Sequence, residues 1–218
     1  MSKQLRILDL FCGLGGVARG FHRVLSETGV DYEYYAVDID KLVLFLHKKL
    51  NPRSVVVCRD ALSFAADELK RYDFVWASPE CRFYSRLNIA LKRWVEDETL
   101  WHVIELLKRA GVLFVVENVR IPKNRVRLRP SICIDRHCFW SNIPLQRCNY
   151  KPRPKPFDRM SLDDWIEYHA IPEHIRNILY SLPYMRARKI LRSTLDSTLA
   201  YNLAKQVVHY LLRKGGWW

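Results

Sequence analysis

The stretch Asp9-Leu10-Phe11-Cys12-Gly13-Leu14-Gly15-Gly16 decides how this chain is read. An apolar run, Leu5–Phe11, leads into it, and helical spacing leads out to about Ser26. A strand, a glycine turn and a helix in that order open a parallel sheet, because parallel neighbours need a crossover and cannot be joined by a hairpin. Glycines between strand and helix let the backbone approach a ligand closely, with the amides of the helix N-terminus pointing outward. The spacing G-x-G-G is not the dinucleotide fingerprint, and alone it equally describes a tight turn.

The alternation continues downstream. Tyr34–Asp38 reads as a second strand, ending in Val37-Asp38-Ile39-Asp40, and a helix follows through Leu50. Ser54–Cys58 is short and Val-rich, Asp73–Ala77 is another strand, Thr99–Ala110 has apolar residues at helical spacing, and Gly111–Val116 is the next strand. This pattern predicts an α/β fold with a parallel sheet wound by right-handed crossovers. Ligands in such sheets sit at the carboxyl ends of the strands, where strand order reverses. Asp38 follows the glycines by about twenty residues, the offset at which an acid grips a ribose diol. Asp60, after the third strand, is placed to accept from an exocyclic amine, so the three strand ends together describe an adenosine pocket.

The charge balance points to a polyanion. The 218 residues carry 36 Lys and Arg against 23 Asp and Glu, a net charge of +13. Hydrophobic residues make up 49% and charged residues 27%, the balance of a packed globule and not of a basic disordered tail. The apolar runs are too short to span a bilayer, and Met1–Phe11 lacks the pattern of a secretory signal. A cytoplasmic, nucleoid-associated protein of a prokaryotic or virus-infected cell is expected, with no membrane partner. The six cysteines include no CxxC pair, and reduced thiols are the expectation without export. Cys133, His137, Cys138 and Cys148 are close in sequence, but their spacing fits no usual zinc finger and no metal is expected.

Two further strand ends carry reactive groups. Ser78-Pro79-Glu80-Cys81 follows Asp73–Ala77, and Glu117-Asn118-Val119 follows Gly111–Val116. Thirty-six positions separate Cys81 from Glu117, room for one helical crossover. Neighbouring parallel strands lie about 5 Å apart, which would bring a thiol and a carboxyl to one pocket. That pair suits covalent catalysis with an adjacent acid. Each residue alone has an ordinary reading, a buried inert thiol and a salt-bridged or capping carboxylate. After Glu117 the texture turns basic. Arg120–Arg129 has five cations among ten residues, and Asn149–Arg159 alternates Pro152, Pro154 and Pro156 with Lys and Arg, as extended linker does. Helical periodicity returns at Leu162–His169, Glu173–Ser181 and Leu199–Arg213.

Asp9–Gly16, Ser78–Cys81 and Glu117–Val119, in this order, resemble the glycine loop, Pro-Cys loop and Glu-Asn-Val strand end of the cytosine carbon-5 DNA methyltransferases. Arg136-His137-Cys138-Phe139-Trp140-Ser141-Asn142 resembles the arginine-bearing strand of that family. Ser161–Pro172 is similar to the helix before its final motif, and Asp196–Leu199 stands where that motif reads Gly-Asn-Ser-Val. The resemblance implies a Rossmann-like S-adenosylmethionine-dependent methyltransferase fold, a mixed, mostly parallel sheet with helices on both faces. It implies a catalytic core over 1–142, completed by helices in 161–218. It also implies methyl transfer from S-adenosylmethionine to carbon 5 of cytosine in DNA through a covalent Cys81 adduct. Glu117 would hold the ring and Arg136 would contact its carbonyl. The cofactor would meet Phe11, Gly13, Leu14, Gly15, Gly16, Asp38, Ile39, Asp60, Pro79 and Ser197, and nucleic acid would meet Arg82 and Ser85.

The pattern departs from the family at four places. Glu80 stands where Pro usually precedes the nucleophile, and Arg82 where Gln follows it. The usual pair of arginines is reduced to Arg136-His137, and Asp196-Ser197 replaces Gly-Asn. The largest departure is length. Where the family inserts a target-recognition domain, only the basic segment 143–160 remains, with Lys151, Arg153 and Lys155 as expected phosphate contacts beside Arg125 and Arg127. Relaxed sequence recognition, or a protein partner that supplies it, is therefore expected. Two other readings stay open on sequence: a transfer-RNA cytosine methyltransferase, and a silent relative that binds DNA or a partner.

Overall fold

The computed structural model describes residues 4–81, 98–121, 126–150 and 159–216. Arg82, Ser85, Arg125, Lys151, Arg153 and Lys155 lie outside the described residues, so the expectations placed on them have no geometry here. The first half runs β1 (Leu5–Leu10), α1 (Gly16–Thr28), β2 (Tyr32–Asp38), α2 (Lys41–Leu50), β3 (Val55–Cys58), a 3-10 turn at Ala61–Ser63, α3 (Ala66–Leu69) and β4 (Phe74–Ala77). It continues with α4 (Thr99–Ala110), β5 (Leu113–Val119), β6 (Ile132–Ile134) and β7 (His137–Ser141). Four helices close the chain: α5 (Leu162–Tyr168), α6 (Glu173–Ser181), α7 (Tyr184–Arg192) and α8 (Ser197–Lys214).

Among the described residues seven strands form one sheet in the order β3-β2-β1-β4-β5-β7-β6. The first five run parallel, β7 is antiparallel to β5, and β6 is antiparallel to β7. This is the expected mixed, mostly parallel sheet. Strand order reverses between β1 and β4, so the glycine loop after β1 and the Cys81 loop after β4 flank the switch point. All four residues of β4, Phe-Val-Trp-Ala, are buried, as a central strand covered on both faces requires.

One face is covered by α1 and α8, whose Phe21, Leu203 and Val207 join Tyr34, Phe74 and Trp76. The other is covered by α4, with Leu100, Val103, Ile104 and Leu107 joining Leu8, Leu10, Val75 and Val116. A smaller core gathers Trp165, Ile175, Leu179 and Leu191 of α5, α6 and α7 around Leu46 of α2 and Leu14 of the glycine loop. The C-terminal helices thereby rest on the loop that opens the chain. Asp40 and Asp196 cap α2 and α8 through their carboxylates, each accepting two backbone N–H groups. On α1, a methyl group at Gly20 would sit 2.6 Å from the backbone of Ala200, so only glycine permits the close crossing of α1 and α8.

Three observations correct the sequence expectations. β5 does not stop at Val116 but continues to Val119, because β7 pairs along it from Val115↔Ser141 to Val119↔His137. Glu117 and Asn118 thus sit within a strand. Cys133 and Cys138, expected as reduced thiols, face each other across β6 and β7 and are joined as a disulfide. Helix α7 was not marked by periodicity, because four of its nine residues are cations and only Ala187, Ile190 and Leu191 are buried.

Candidate active site

The carboxyl ends of β1, β2, β4 and β5 converge on one edge of the sheet. After β1 the chain turns sharply, with Phe11, Gly13 and Gly15 all at positive φ (58°, 52° and 81°). The loop is tied down from α2: His47 Nδ1 lies 3.0 Å from the Gly13 carbonyl oxygen, and Asn51 donates to the Leu14 carbonyl oxygen at 3.2 Å. The glycines divide into two kinds. A methyl group on Gly13 would meet nothing within 4 Å, so this position faces open space. On Gly15 it would lie 2.3 Å from Asn51 Nδ2, and on Gly16 2.0 Å from the Leu195 carbonyl oxygen. Gly15 and Gly16 are therefore explained by packing within the protein, and the side chain of Leu14 is buried in the smaller core.

Asp38 ends β2 with its carboxylate held at both oxygens. Gly13 N–H donates to Oδ2 at 3.1 Å and Asp40 N–H to Oδ1 at 3.0 Å. A carboxylate oxygen has two lone pairs, so each retains acceptor capacity for another donor. Next to it Ile39 is 70% exposed, an unusual position for an isoleucine at a strand end. Asp60 is exposed and uses Oδ1 to accept from Leu62 N–H at 2.9 Å. Ser197 is the first residue of α8, two positions after the Leu195 carbonyl that packs on Gly16.

Beneath the glycine loop Asp9 is fully buried and accepts from Tyr34 Oη–H at 2.8 Å. Burial, and then the charge of Asp38, push its carboxyl up to about 8, against the Tyr34 hydrogen bond. Burial pulls His22 and His47 each down to about 4, and both ring Nε2 atoms lie within hydrogen-bond distance of Ser54 Oγ. Sequence reasoning passed over this buried network, since lone histidines on helices carry no motif.

The Cys81 loop leaves β4 beside β5, with Ala77 opposite Val116. Asn118 Nδ2 donates to the Pro79 carbonyl oxygen at 3.0 Å, fastening one loop to the other strand. Pro79 is buried and Cys81 partly buried. Burial pushes the Cys81 thiol up to about 11. The negative charges of Glu117 and Glu80 add to this, and Arg136 opposes it. The Asn118–Pro79 bond holds the loop that ends in Cys81 against the strand that carries Glu117. Glu117 is nearly enclosed and accepts from His137, with Nδ1 to Oε1 at 2.6 Å. His137 and Arg136 follow Asp135, whose φ of 51° turns the β6–β7 hairpin. Arg120 N–H donates to the Arg136 carbonyl oxygen at 2.7 Å, which fixes that hairpin against the end of β5.

Two residues enter the site that the sequence did not single out. The sequence marks His137 as standing in place of an arginine and near three cysteines, and gives no sign that it is the partner of Glu117. Lys189 of α7 pairs with Glu80 at 3.1 Å, so the carboxylate preceding Cys81 is turned to α7. Arg127, expected at nucleic acid, makes a two-pronged ion pair with Glu98.

The model of the C-5 cytosine-specific DNA methylase family matches residues 5–126. The chain is 30% identical over 140 residues to type II methyltransferase M.XorII of Xanthomonas oryzae pv. oryzae, covering 57% of this chain and 31% of that protein. It is 27% identical over 152 residues to type II methyltransferase M.NlaX of Neisseria lactamica, covering 68% of this chain and 44% of that one. The matches thus span less than half the length of these two relatives. Two solved structures share the fold along nearly the whole chain. A mutant of Spodoptera frugiperda DNMT2 superposes with a TM-score of 0.56 at 14% identity, covering 94% of this chain and 100% of that one. The Entamoeba histolytica methyltransferase EhMeth superposes with a TM-score of 0.59 at 12% identity, covering 98% and 99%. With the glycine loop and the Pro79–Asn118 tie flanking the switch point, the chain belongs to the C-5 cytosine-specific DNA methylase family.

Proposed function

We propose that this protein transfers a methyl group to carbon 5 of cytosine in DNA through a covalent adduct on Cys81. One observation supports the reading: the loop that ends in Cys81 and the strand that carries the nearly enclosed Glu117 come from adjacent parallel strands and are tied by Asn118 to Pro79 beside the switch point. Cytosine carbon 5 is a weak nucleophile, and addition of a thiolate to carbon 6 makes the ring enamine-like. Cys81 is the group that adds, and once carbon 5 has taken the methyl group, loss of the carbon 5 proton with elimination of the Cys81 thiolate restores the ring and frees the product. Glu117 holds ring nitrogen 3 and the exocyclic amine as charge develops there, and Arg136 contacts the ring carbonyl. The target base is buried in its duplex, so it must be flipped out at a cost of a few kcal/mol.

The cofactor of this reading is S-adenosylmethionine, and the residues at the strand ends suit it. Gly13 faces open space, the Asp38 carboxylate has acceptor capacity for ribose hydroxyls, Ile39 offers an apolar face for adenine, and Asp60 offers an acceptor for its amine. Phe11, the buried Pro79 and Ser197 complete the wall, with Leu14, Gly15 and Gly16 supporting it from beneath. When bound, the cofactor supplies an electrophilic methyl group. Residues 1–142 would form the catalytic core, with 161–218 completing it.

Segment 143–160 is too short to read many base edges, which favours relaxed recognition or a protein partner that supplies it. The net charge of +13 supports DNA as the polyanion. No helix among the described residues is long and apolar enough to cross a membrane. The test is a trap: DNA containing 5-fluorocytosine, incubated with the protein and the labelled cofactor. A denaturation-resistant adduct, lost in Cys81→Ser, is expected. Cofactor binding without an adduct on DNA would refute the reading, and an adduct on RNA alone would move the substrate.

A further inference from the structure

The electrostatics around Cys81 pose a problem that the strand ends do not solve. The thiol is disfavoured as thiolate by burial, by Glu117 on β5 and by the adjacent Glu80, while Arg136 and a backbone hydrogen bond at Cys81 favour it. His137 on β7 is engaged by Glu117. Glu80 also stands where the family usually places an uncharged proline, so this chain carries an added negative charge beside its nucleophile.

Helix α7 faces this site from the other side. Its sequence, Tyr-Met-Arg-Ala-Arg-Lys-Ile-Leu-Arg, holds four cations and no acid. Ala187, Ile190 and Leu191 bury its apolar side in the smaller core, which fixes where the cations stand. Its first turn is tied to the cap of α2 by Arg186 and Asp40 at 3.3 Å, and its last turns reach the Cys81 loop through Lys189 and Glu80 at 3.1 Å. Lys189 and Arg192, three residues apart, are neighbours on a helix surface, as are Arg188 and Arg192, four apart. Arg192 is partly buried. Burial and Arg188 pull its guanidinium down, and the charge of Cys81 pulls it up.

We propose that α7 gives electrostatic support to the Cys81 nucleophile through Lys189, which cancels the neighbouring Glu80 carboxylate. Lys189 is a positioning residue, acting on the ionisation of Cys81 and not on a substrate. The inference rests on Cys81 being the nucleophile, but its test needs neither DNA nor cofactor.

The rate of Cys81 alkylation by iodoacetamide is followed against pH on the full chain, with the Cys81 peptide quantified by mass spectrometry. The Cys12 and Cys58 peptides serve as internal references. Lys189 is exposed, so Lys189→Met is expected to fold, which its thermal unfolding checks. An opposite charge near an ionisable group shifts it by one unit or more when close and shielded, and by less at an exposed position. Lys189→Met is thus expected to raise the midpoint by about half a pH unit, slowing alkylation at pH 8 by about threefold. Glu80→Gln should lower the midpoint, and Lys189→Met added to Glu80→Gln should cause no further shift. An unchanged midpoint in Lys189→Met, or simple addition in the Lys189–Glu80 double variant, would overturn the proposal. If the midpoints move as expected while the wild type forms no adduct on 5-fluorocytosine DNA, the assigned reaction fails and the electrostatic role of α7 stands.

Discussion

Replacing His137 by alanine removes the one side-chain donor found on Glu117 among the described residues. The Nδ1 to Oε1 distance is 2.6 Å, and the two side chains are 8% and 12% exposed, so little water is available to take the place of the imidazole. A hydrogen bond to a charged group contributes about 1.5–3 kcal/mol, and leaving its buried partner unsatisfied costs a similar amount. If Glu117 must be held in one orientation to meet the cytosine ring, that loss appears in the rate of adduct formation. At 1.36 kcal/mol per tenfold, it corresponds to about a 10- to 150-fold decrease. Stability should fall by about 1–3 kcal/mol, and at this chain length each kcal/mol lowers the melting temperature by about 2–4 °C. His137→Asn separates the two effects, because an asparagine amide reaches the place of Nδ1 and should restore most of the rate. The assay is single-turnover formation of the 5-fluorocytosine adduct, with melting temperature measured on the same samples. An adduct rate in folded His137→Ala within twofold of wild type would refute the reasoning that Glu117 depends on this partner.

Other consequences follow from buried groups. The Asp9 carboxyl is raised to about 8 by burial, so its folded form keeps the proton that the unfolded chain loses near pH 4. Its contribution is intact below about pH 4 and is lost as pH rises toward 8; Asp9→Asn should flatten that decline in urea midpoints between pH 5 and 8. His22 and His47 titrate in the opposite sense. Each is pulled down to about 4, so the stability of their neutral forms is present above about 6.5 and lost as pH falls toward 4, and His47→Gln should reduce the acid sensitivity measured by urea unfolding. Gly20→Ala should destabilise by about 1–3 kcal/mol despite the higher helix propensity of alanine, because its methyl group would lie 2.6 Å from the Ala200 backbone; a neutral or raised melting temperature would contradict the close crossing of α1 and α8.

The order of elements was legible in the sequence wherever local pattern and burial coincide. The strand at Leu5, the helices at Thr99–Ala110 and Glu173–Ser181, and the glycine turn between β1 and α1 all stand where apolar spacing puts them. The adjacency of the strands that precede Cys81 and carry Glu117 was legible too, because a separation of thirty-six residues leaves room for one crossover between β4 and β5. β6 was hidden by its length, three residues being too few for a period to register, and α7 was hidden by its charge.

By itself, the sequence determined the family, the parallel sheet and the strand ends at which the reactive groups cluster, since these depend on the spacing of residues along the chain. It did not determine how the site is charged and held. Whether Glu80 turns toward Cys81 or toward Lys189, whether Gly15 faces a ligand or Asn51, and which group satisfies Glu117 all depend on contacts between segments from about twenty to more than one hundred residues apart. No local pattern encodes such contacts. They arise when packing brings α7 and the β6–β7 hairpin against the carboxyl edge of the sheet, where a low dielectric makes each remaining charge matter.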